Sequence, residues 1–327
     1  MYLSRQVKKG IVPLLLLVLM MGIAAGCASK QGTAADTEKG AAPEKAAQER
    51  TVKHLLGETV IKGEPKRIVS LHPWLTDFLL SVGLTPVAAP SSGPDSSKFS
   101  WYLADKLTDA KNIGWQIPQV NLESVLAAEP DLIVANKSHE KVYDQLSKIA
   151  PTIAIEPVKD EKGNRQMRET FLSLAGMLNK EAEAKQAIAK YDELAKKQRE
   201  QLKQKIGNQT VMFLRVTDKE LRYYSPALFE VLYSDLALTP PPLIPDSSKS
   251  FEALSVEKLP EVNPDHIFLL VENEQKVTEI EQLALWKQLN AVKNGHVYKV
   301  DYDLWFQGFG PIANEKILED AVKKLAP

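Results

Sequence analysis

One phrase of the sequence occurs twice and limits the folds that the chain can adopt. Residues 120–135 read VNLESVLAAEPDLIVA, and residues 254–269 read LSVEKLPEVNPDHIFL. Each copy predicts the same unit: a helix cap (Asn121 or Ser255), a glutamate two residues later, one or two helical turns, Pro-Asp and a buried strand. Four of the sixteen positions are identical. The repeat therefore predicts two halves of the chain that are built on one plan.

The segments around the two copies alternate short apolar runs with helical patterns, which is typical of a parallel sheet covered by helices. Residues 164–205 break this alternation, because they hold two helical patterns separated by Asn179 and no strand pattern. About 40 residues of helix would extend over a length on the order of 50 Å or more. We therefore predict an α/β fold with two lobes, residues 51–163 and 206–327, joined by a long helix.

The first residues have the pattern of a secretory signal. Residues 1–26 combine a basic start, an apolar run and small residues directly before Cys27, the only cysteine of the chain. We expect cleavage at this point, acylation of Cys27 and attachment of the protein to the membrane. An ordinary signal peptide with a chance cysteine and a retained transmembrane helix are the alternatives, although the apolar run is short for a membrane span. A single cysteine also excludes an internal disulfide bond.

Residues 27–50 lack aromatic and branched apolar side chains and therefore predict a flexible tether.

The charge balance and the sequence motifs argue against two further classes of protein. Without residues 1–26, the 41 basic residues fall by three to 38, against 42 acidic residues. This acidic balance argues against a nucleic-acid-binding protein. The sequence also has no G-x-S-x-G motif, P-loop or dinucleotide-binding fingerprint, so we expect a protein that is not an enzyme.

Several segments carry a resemblance to a known family. They read PKRIVSLHPWLTDFLLSVGLTPVA, VNLESVLAAEPDLIVA, LSKIAPTIAIE, LWKQLNAVKNGHVYKVD and GPIANEKILEDAVKKL. In this order, over residues 52–325, they resemble the substrate-binding lipoproteins of iron–siderophore ABC importers, which include ferric-hydroxamate, ferric-catecholate, haem and cobalamin binders. The resemblance implies two Rossmann-like lobes joined by one rigid backbone helix, a ligand cleft between the lobes and limited closure on binding.

The same resemblance implies what the protein does and where. A lipid-anchored monomer on the extracytoplasmic face of the cell membrane would capture a ferric siderophore. It would deliver this complex to an ABC permease, a heterodimer or homodimer with its ATPase. Siderophore oxygens already saturate the iron, so we expect neither a protein-bound metal nor a cofactor. The alternatives are a haem binder that uses His72 as axial ligand, a cobalamin binder, and a surface sensor or adhesin on this fold.

The glutamates of the two repeat copies are predicted to contact the permease. In the family, a glutamate at the position of Glu123 or Glu257 docks against an arginine of one permease subunit, and two equivalent lobes suit a two-fold symmetric partner. The simpler interpretation is that each side chain complements a helix dipole, which contributes about 0.3–1 kcal/mol. Glu129, Glu252 and Glu261 lie nearby and are the competing candidates.

Aromatic side chains in loops after strands are the first candidates for the ligand site, because ligands of α/β lobes bind at the carboxyl ends of strands. Trp286 lies in an amphipathic helical pattern and is predicted to be core instead. Trp305 matches a position where hydroxamate binders of the family place an aromatic ring. We therefore predict ligand contacts from four tryptophans: Trp74, Trp101, Trp115 and Trp305.

Two arginines and a tyrosine complete the predicted ligand site. Arg215 ends one apolar strand, and Arg222 and Tyr224 share a face of the next. Tyr224 also matches a ligand-contacting tyrosine of some hydroxamate binders. Residues 114–116, Gly-Trp-Gln, stand where the ferric-hydroxamate type often has an arginine, and no basic cluster suits a highly anionic catecholate complex. The expected ligand is thus a ferric hydroxamate or a mixed citrate–hydroxamate complex.

Overall fold

A long helix separates two five-stranded sheets in the computed structural model of the protein. The structure describes residues 49–94, 96–161, 163–243 and 251–327. The predicted signal sequence, Cys27 and most of the predicted tether lie outside these residues. Among the described residues, no helix is long and apolar enough to cross a membrane. The architecture is the predicted α/β fold of two lobes around a backbone helix.

The N-terminal lobe consists of a hairpin and an all-parallel sheet with the strand order β5-β4-β3-β6-β7. The hairpin strands are β1 (Glu49–His54) and β2 (Gly57–Lys62), and the sheet strands are β3 (Ile68–Ser70), β4 (Ala88–Ala89), β5 (Lys111–Asn112), β6 (Leu132–Asn136) and β7 (Thr152–Ile155). Every residue of β3, β6 and β7 is buried, as is expected of parallel strands covered on both faces.

Short helices connect these strands. The first, α1, spans Pro73–Ser81, and it begins where the His72 side chain accepts a hydrogen bond from the backbone N–H of Trp74. Proline in its first turn lacks the N–H group that a helix start leaves unpaired. The remaining helices of the lobe are α2 (Leu122–Leu126) and α3 (Tyr143–Ile149), with 3₁₀ turns at Ala104–Lys106 and Lys137–Val142.

Two consecutive helices lead from the first sheet to the second, as the sequence predicts. They are α4 (Met167–Met177) and α5 (Glu181–Ile206). Asn179 separates them with a left-handed φ of 55°, a region in which asparagine is enriched. The 26 residues of α5 extend over about 39 Å. Glutamates in the first turn of α5 and lysines in its last turn complement the helix dipole.

The C-terminal lobe has a mixed sheet rather than the all-parallel sheet that its alternating pattern indicates. Its strands are β8 (Val211–Val216), β9 (Leu221–Tyr224), β10 (Phe251–Leu254), β11 (His266–Val271) and β12 (Val297–Val300), in the order β10-β9-β8-β11-β12. β8, β11 and β12 are parallel, whereas β9 and β10 are antiparallel to their neighbours. The short connection between β8 and β9 explains the direction of β9, because a parallel crossover needs about a dozen or more residues.

Short helices also connect the strands of this lobe. The last helix of the chain is longer and packs against α5 and α1. The helices are α6 (Leu259–Val262), α7 (Glu274–Gln282), α8 (Ala284–Lys287), α9 (Asn290–Lys293), α10 (Tyr302–Trp305) and α11 (Pro311–Leu325), with a 3₁₀ turn at Val256–Lys258 and a π-helical turn at Val231–Asp235. Trp286 of α8 is buried, which confirms its prediction as a core residue.

Asp77 of α1 joins α11 to the N-terminal lobe. Its carboxylate accepts hydrogen bonds from the N–H groups of Ile312 (3.0 Å) and Ala313 (2.8 Å) in the first turn of α11, and from the Ser81 hydroxyl (3.1 Å). A Cβ atom on Gly310 would lie 2.2 Å from Cγ of Asp77, so the close approach requires glycine. Burial raises the pKa of Asp77 from 3.8 to about 7, against the opposing effect of these hydrogen bonds.

Candidate ligand cleft

A small cavity lies between the two lobes, beside the segments that follow β3 and β12. Its volume is about 210 Å³. His72 and Trp74 line it from the N-terminal lobe, and Trp305 and Phe309 line it from the C-terminal lobe. Arg165 lines it from the segment directly before α4, where the chain passes between the lobes. Both lobes therefore contribute side chains to one cavity, where ligands of α/β lobes are expected.

The N-terminal wall of the cavity is aromatic and uncharged. Nδ1 of His72 accepts the hydrogen bond from the Trp74 N–H at 3.4 Å. The imidazole also lies near two indole rings, with centroid distances of 5.7 Å to Trp74 and 5.9 Å to Trp115. Burial, with smaller effects of His139 and Arg165, lowers the pKa of His72 to about 3. The imidazole is therefore neutral, with its proton on Nε2.

Arg215 of the C-terminal lobe does not line the cavity, and its charge is already compensated. Arg215 donates a hydrogen bond to the Tyr224 hydroxyl at 2.8 Å and forms an ion pair with Glu272. Its guanidinium carbon lies 4.1 Å from the centroid of the Phe306 ring. Burial lowers the pKa of Arg215, but the hydrogen bonds to Glu272 and Tyr224 outweigh burial and raise it overall. Arg215 is thus held by its own lobe.

Arg222 lies opposite Arg215 in the pairing of β8 with β9. Its Nε donates to Glu220 at 2.6 Å, and its guanidinium carbon lies 4.4 Å from the centroid of the Phe251 ring. Both predicted arginines therefore have a carboxylate partner within the C-terminal lobe, and neither lines the cavity. Their contact with a ligand stays a prediction.

Trp305 and Tyr224 form part of the core behind the cavity. Each side chain is 1% exposed. The indole N–H of Trp305 donates to Asp320 at 2.8 Å, and its ring packs against Phe213 and Phe268. Trp305 lines the cavity with little free surface, whereas Tyr224 is not among the residues that line it, and its hydroxyl accepts the hydrogen bond from Arg215.

Trp101 links the two lobes instead of lining the cavity. Its indole N–H donates to Asp301 at 2.9 Å, and its backbone N–H donates to Asp303 at 3.0 Å. The Ser100 hydroxyl also donates to Asp303, at 2.6 Å. Burial raises the pKa of Asp303, although these hydrogen bonds act in the other direction. Trp101 is 53% exposed, so its free face stays available to a ligand that reaches beyond the cavity.

Arg165 lines the cavity but was not predicted from the sequence. Unlike Arg215 and Arg222, it has no ion pair with a described residue. Its guanidinium carbon lies 3.9 Å from the centroid of the Phe309 ring. Its Nε is buried without a hydrogen-bond partner, and no described residue forms an ion pair with it. Burial lowers the pKa of Arg165 to about 10, against the opposing effect of Glu230. The side chain is therefore still a cation at neutral pH.

Other residues of the cavity also escaped the sequence analysis. Residues 306–309, which read FQGF directly after Trp305, have the aromatic and glycine content of a ligand loop, and this signal could have found them. Arg165 lies in a stretch without a periodic pattern, so no local signal identified it. The further cavity residues that were missed include Phe229, Glu230, Gln307, Phe309 and Asn314.

Glu123 and Glu257 of the two repeat copies are both exposed. Glu123 lies in the first turn of α2, and Glu257 lies in the 3₁₀ turn before α6. No other residue in the described ranges forms an ion pair with either carboxylate. The competing glutamates have partners: Glu129 with Arg67, Glu252 with Tyr223 and Glu261 with Lys258.

Comparison with known proteins identifies the class to which this cleft belongs. Residues 68–304 match the periplasmic binding protein family. The chain is 33% identical over 290 residues to the probable siderophore-binding lipoprotein YfiY of Bacillus subtilis (strain 168), with 83% of this chain and 86% of that protein covered. It is 30% identical over 313 residues to the Fe(3+)-citrate-binding protein YfmC of the same strain, with 94% and 95% covered.

A solved structure supports the same assignment. The crystal structure of Staphylococcus aureus SirA complexed with staphyloferrin B has a TM-score of 0.72 and 32% sequence identity, and the match covers 84% of this chain and 98% of that one. The chain therefore belongs to the periplasmic binding protein family, which is a family of binding proteins.

Proposed function

We propose that the protein is an extracytoplasmic lipoprotein that binds a ferric siderophore in the interlobe cleft and delivers it to an ABC importer. The observation that carries this proposal is the cavity between the lobes, because residues of both lobes line it with the aromatic rings and few polar groups that are typical of small-molecule sites. The relatives named as siderophore-binding and Fe(3+)-citrate-binding proteins support the same ligand class.

The iron of such a ligand needs no bond to the protein. Within the part of the chain that the structure describes, no group of three or more His, Cys, Asp or Glu side chains could hold a metal ion. His72 is poorly suited to bind haem iron, because its Nδ1 caps α1 and its Nε2 therefore carries the proton. We therefore infer that recognition acts on the organic part of the complex, through Trp74, Trp115 and the polar groups of the cavity.

The delivery step rests on the two repeat copies and on Cys27. Exposed charges set the rate and register of docking more than its affinity, and Glu123 and Glu257 are exposed carboxylates at matching positions of the two lobes. We propose that each docks against one permease subunit. We further propose that residues 1–26 are removed and that acylated Cys27 holds the monomer at the membrane, next to the permease and its ATPase.

Quenching of tryptophan fluorescence tests ligand binding directly. We expect at least one of ferrichrome, ferric citrate and a ferric tricatecholate to quench the full chain at micromolar concentration, and haem to quench it less. Trp74→Phe should reduce the quenched fraction, because Trp74 lines the cavity. Trp286→Phe is the matched control, since Trp286 is buried in a separate core cluster of the C-terminal lobe. The absence of quenching by every ferric complex would refute the proposed function.

A further inference from the structure

Three arginines lie in or beside the cleft, and they differ in how their charge is compensated. Arg215 is paired with Glu272, and Arg222 is paired with Glu220. The Nε atoms of Arg165 and Arg215 are both buried without a hydrogen-bond partner, but Arg165 also has no ion pair with any described residue. A cation held in a partly buried place without a partner is costly, and such a group is a candidate for binding a ligand.

Glu230 acts on the charge of Arg165, because burial lowers the pKa of Arg165 and Glu230 opposes this effect, but it forms no ion pair with Arg165. Glu230 is the acidic residue that lines the same cavity. Its two carboxylate oxygens are already engaged, because one accepts from the Met167 N–H at 2.9 Å and the other from Arg168 at 3.0 Å. Arg168 is itself shared with Asp192 and Asp235. Glu230 is therefore paired with Arg168 rather than with Arg165.

The other groups around Arg165 favour an anion without neutralising the cation. Phe309 covers one face of the guanidinium group, which fixes its plane and excludes water from that side. His72 is neutral and contributes an N–H donor, and the amides of Gln307 and Asn314 line the same cavity. These donors therefore line the same cavity as a fixed positive charge, an arrangement that suits a planar anion such as a carboxylate.

We propose that Arg165 is the specificity-determining residue of the cleft and that it binds a carboxylate of the ferric complex. This inference rests on the proposed function and narrows it: the ligand is a carboxylate-bearing ferric siderophore of the citrate or α-hydroxycarboxylate class, and it is anionic. A neutral trihydroxamate complex offers acceptor oxygens but no anionic group, and it leaves the charge of the guanidinium uncompensated. Arg215 and Arg222 do not line the cavity and keep their carboxylate partners within the C-terminal lobe.

The size of the cavity fits this role. Its volume of about 210 Å³ is below the roughly 300–1,000 Å³ of sites that enclose a whole small molecule. It accommodates one carboxylate arm, while the iron centre and the other arms lie outside it. Trp115, which contacts His72 at the edge of this wall, is then placed to meet the rest of the complex.

Equilibrium titration of the full chain in detergent tests the inference, with ferric citrate and ferrichrome as the two probes. We expect the wild type to bind ferric citrate more tightly than ferrichrome. Arg165→Gln should weaken ferric citrate binding at least about tenfold and change ferrichrome binding less than about threefold. Arg165→Lys, which keeps the charge but loses the fork of donors, should fall between the wild type and Arg165→Gln. Lys196→Gln is the control, because it removes one positive charge at an exposed position of α5.

The outcomes separate this inference from the proposed function. A wild type that binds neither probe nor any other ferric complex refutes both. A wild type that binds ferrichrome but not ferric citrate, or an Arg165→Gln variant that binds both probes normally, refutes the role of Arg165 alone. The melting temperature of the ligand-free variant supplies a second measurement. Removal of an unpaired, partly buried charge should leave it unchanged or raise it, whereas a variant that unfolds would show that Arg165 is structural.

Discussion

The two copies of the repeat place the same side chains in the same tertiary contact. In the first copy, the carboxylate of Asp131 accepts hydrogen bonds from the N–H groups of Lys66 (2.8 Å) and Arg67 (2.9 Å), just before β3. In the second copy, Asp265 accepts from the N–H and hydroxyl of Thr210, at 2.8 Å and 3.0 Å, just before β8. Each aspartate therefore ties the start of one central strand to the start of its neighbour.

The copies differ in the helix that precedes this contact. The first forms an α-helix that is capped by Asn121, whereas the second begins with a three-residue 3₁₀ turn that the Ser255 side chain does not cap. A helix dipole needs several aligned peptide units, so the dipole interpretation accounts for Glu123 better than for Glu257. That both glutamates are nevertheless exposed and unpaired among the described residues favours a role outside the fold, and it supports the docking proposal.

The largest effect is expected when both docking glutamates are removed. Glu123→Ala combined with Glu257→Ala should reduce ligand uptake by cells at least about tenfold, because two desolvated charge pairs with the permease are lost. Binding of the same ferric complex to the purified variant should be unchanged, since neither residue lines the cavity. The two single variants should be impaired to a similar degree if the lobes dock equivalently.

A control pair makes this test specific. Glu129→Ala combined with Glu261→Ala removes the same number of charges from the same two regions, where both carboxylates have partners within the protein. Uptake should remain near the wild-type level. Normal uptake by the Glu123 and Glu257 double variant would contradict the docking proposal, and impairment of the control pair alone would assign docking to the competitors.

The next largest effect concerns the aspartate contacts. Asp131→Ala and Asp265→Ala should each lower the free energy of unfolding by about 1.5–3 kcal/mol, because each leaves N–H donors at a strand start unpaired. Asp265 should cost more, since it is less exposed and also accepts from the Thr210 hydroxyl. Urea denaturation at pH 7 measures both losses. If Asp265→Ala lowers the free energy of unfolding less than Asp131→Ala does, burial does not determine which of the two contacts is more stabilising.

Asp77 and Asp265 should respond to pH in opposite directions. For Asp265, burial raises the pKa, but hydrogen bonds from Thr210 and Asn290 outweigh it and lower the pKa below 3.8. Its contribution to stability is therefore present at neutral pH and is lost in acid as the pH falls through the lowered value. The pKa of Asp77 is raised to about 7, so its contribution is full below 3.8 and is lost as the pH rises through about 7.

Free energies of unfolding, obtained from melting curves between pH 5 and pH 8, test the raised pKa of Asp77. The difference in free energy of unfolding between the wild type and Asp77→Asn should be at least about 1 kcal/mol larger at pH 5 than at pH 8. One pKa unit corresponds to about 1.4 kcal/mol. The difference for Asp265→Asn should stay constant across this interval, because the group titrates below it. If the stability difference between the wild type and Asp77→Asn grows with rising pH, the pKa of Asp77 is not raised by burial.

The comparison also shows which features are local enough to be predicted from sequence. The repeat, the buried strands and the break at Asn179 depend on side-chain period and on backbone preference within a few residues, and the structure confirms them. The antiparallel course of β9 follows from the few residues between it and β8, a local feature that the sequence also contains. Asp131 and Asp265 belong to the repeated sequence, but their partners lie far away along the chain, directly before β3 and β8.

The ligand site was less accessible to sequence reasoning because its members are brought together by tertiary contacts. Trp305 follows a strand and was therefore expected to project into the cleft, yet Asp320 and the core rings hold it in the wall. Arg215 has the residue type of a ligand contact, but Glu272 compensates its charge. What distinguishes Arg165 is the absence of such a partner among the described residues, which no local pattern can show.

The smallest expected effect on the free energy of unfolding concerns the capping positions of the two copies, Asn121 and Ser255. Asn121 accepts a hydrogen bond from the Ser124 N–H at 3.0 Å, whereas Ser255 makes no capping hydrogen bond. Asn121→Ala should therefore cost about 1 kcal/mol, and Ser255→Ala should change the free energy of unfolding by less than about 0.5 kcal/mol. Urea denaturation with unchanged m-values measures both, and Asn121→Ser is the control that retains a capping side chain. Equal losses would mean that Ser255 caps its turn in solution, and the difference in capping between the copies would then disappear as a reason to assign Glu257 a role outside the fold.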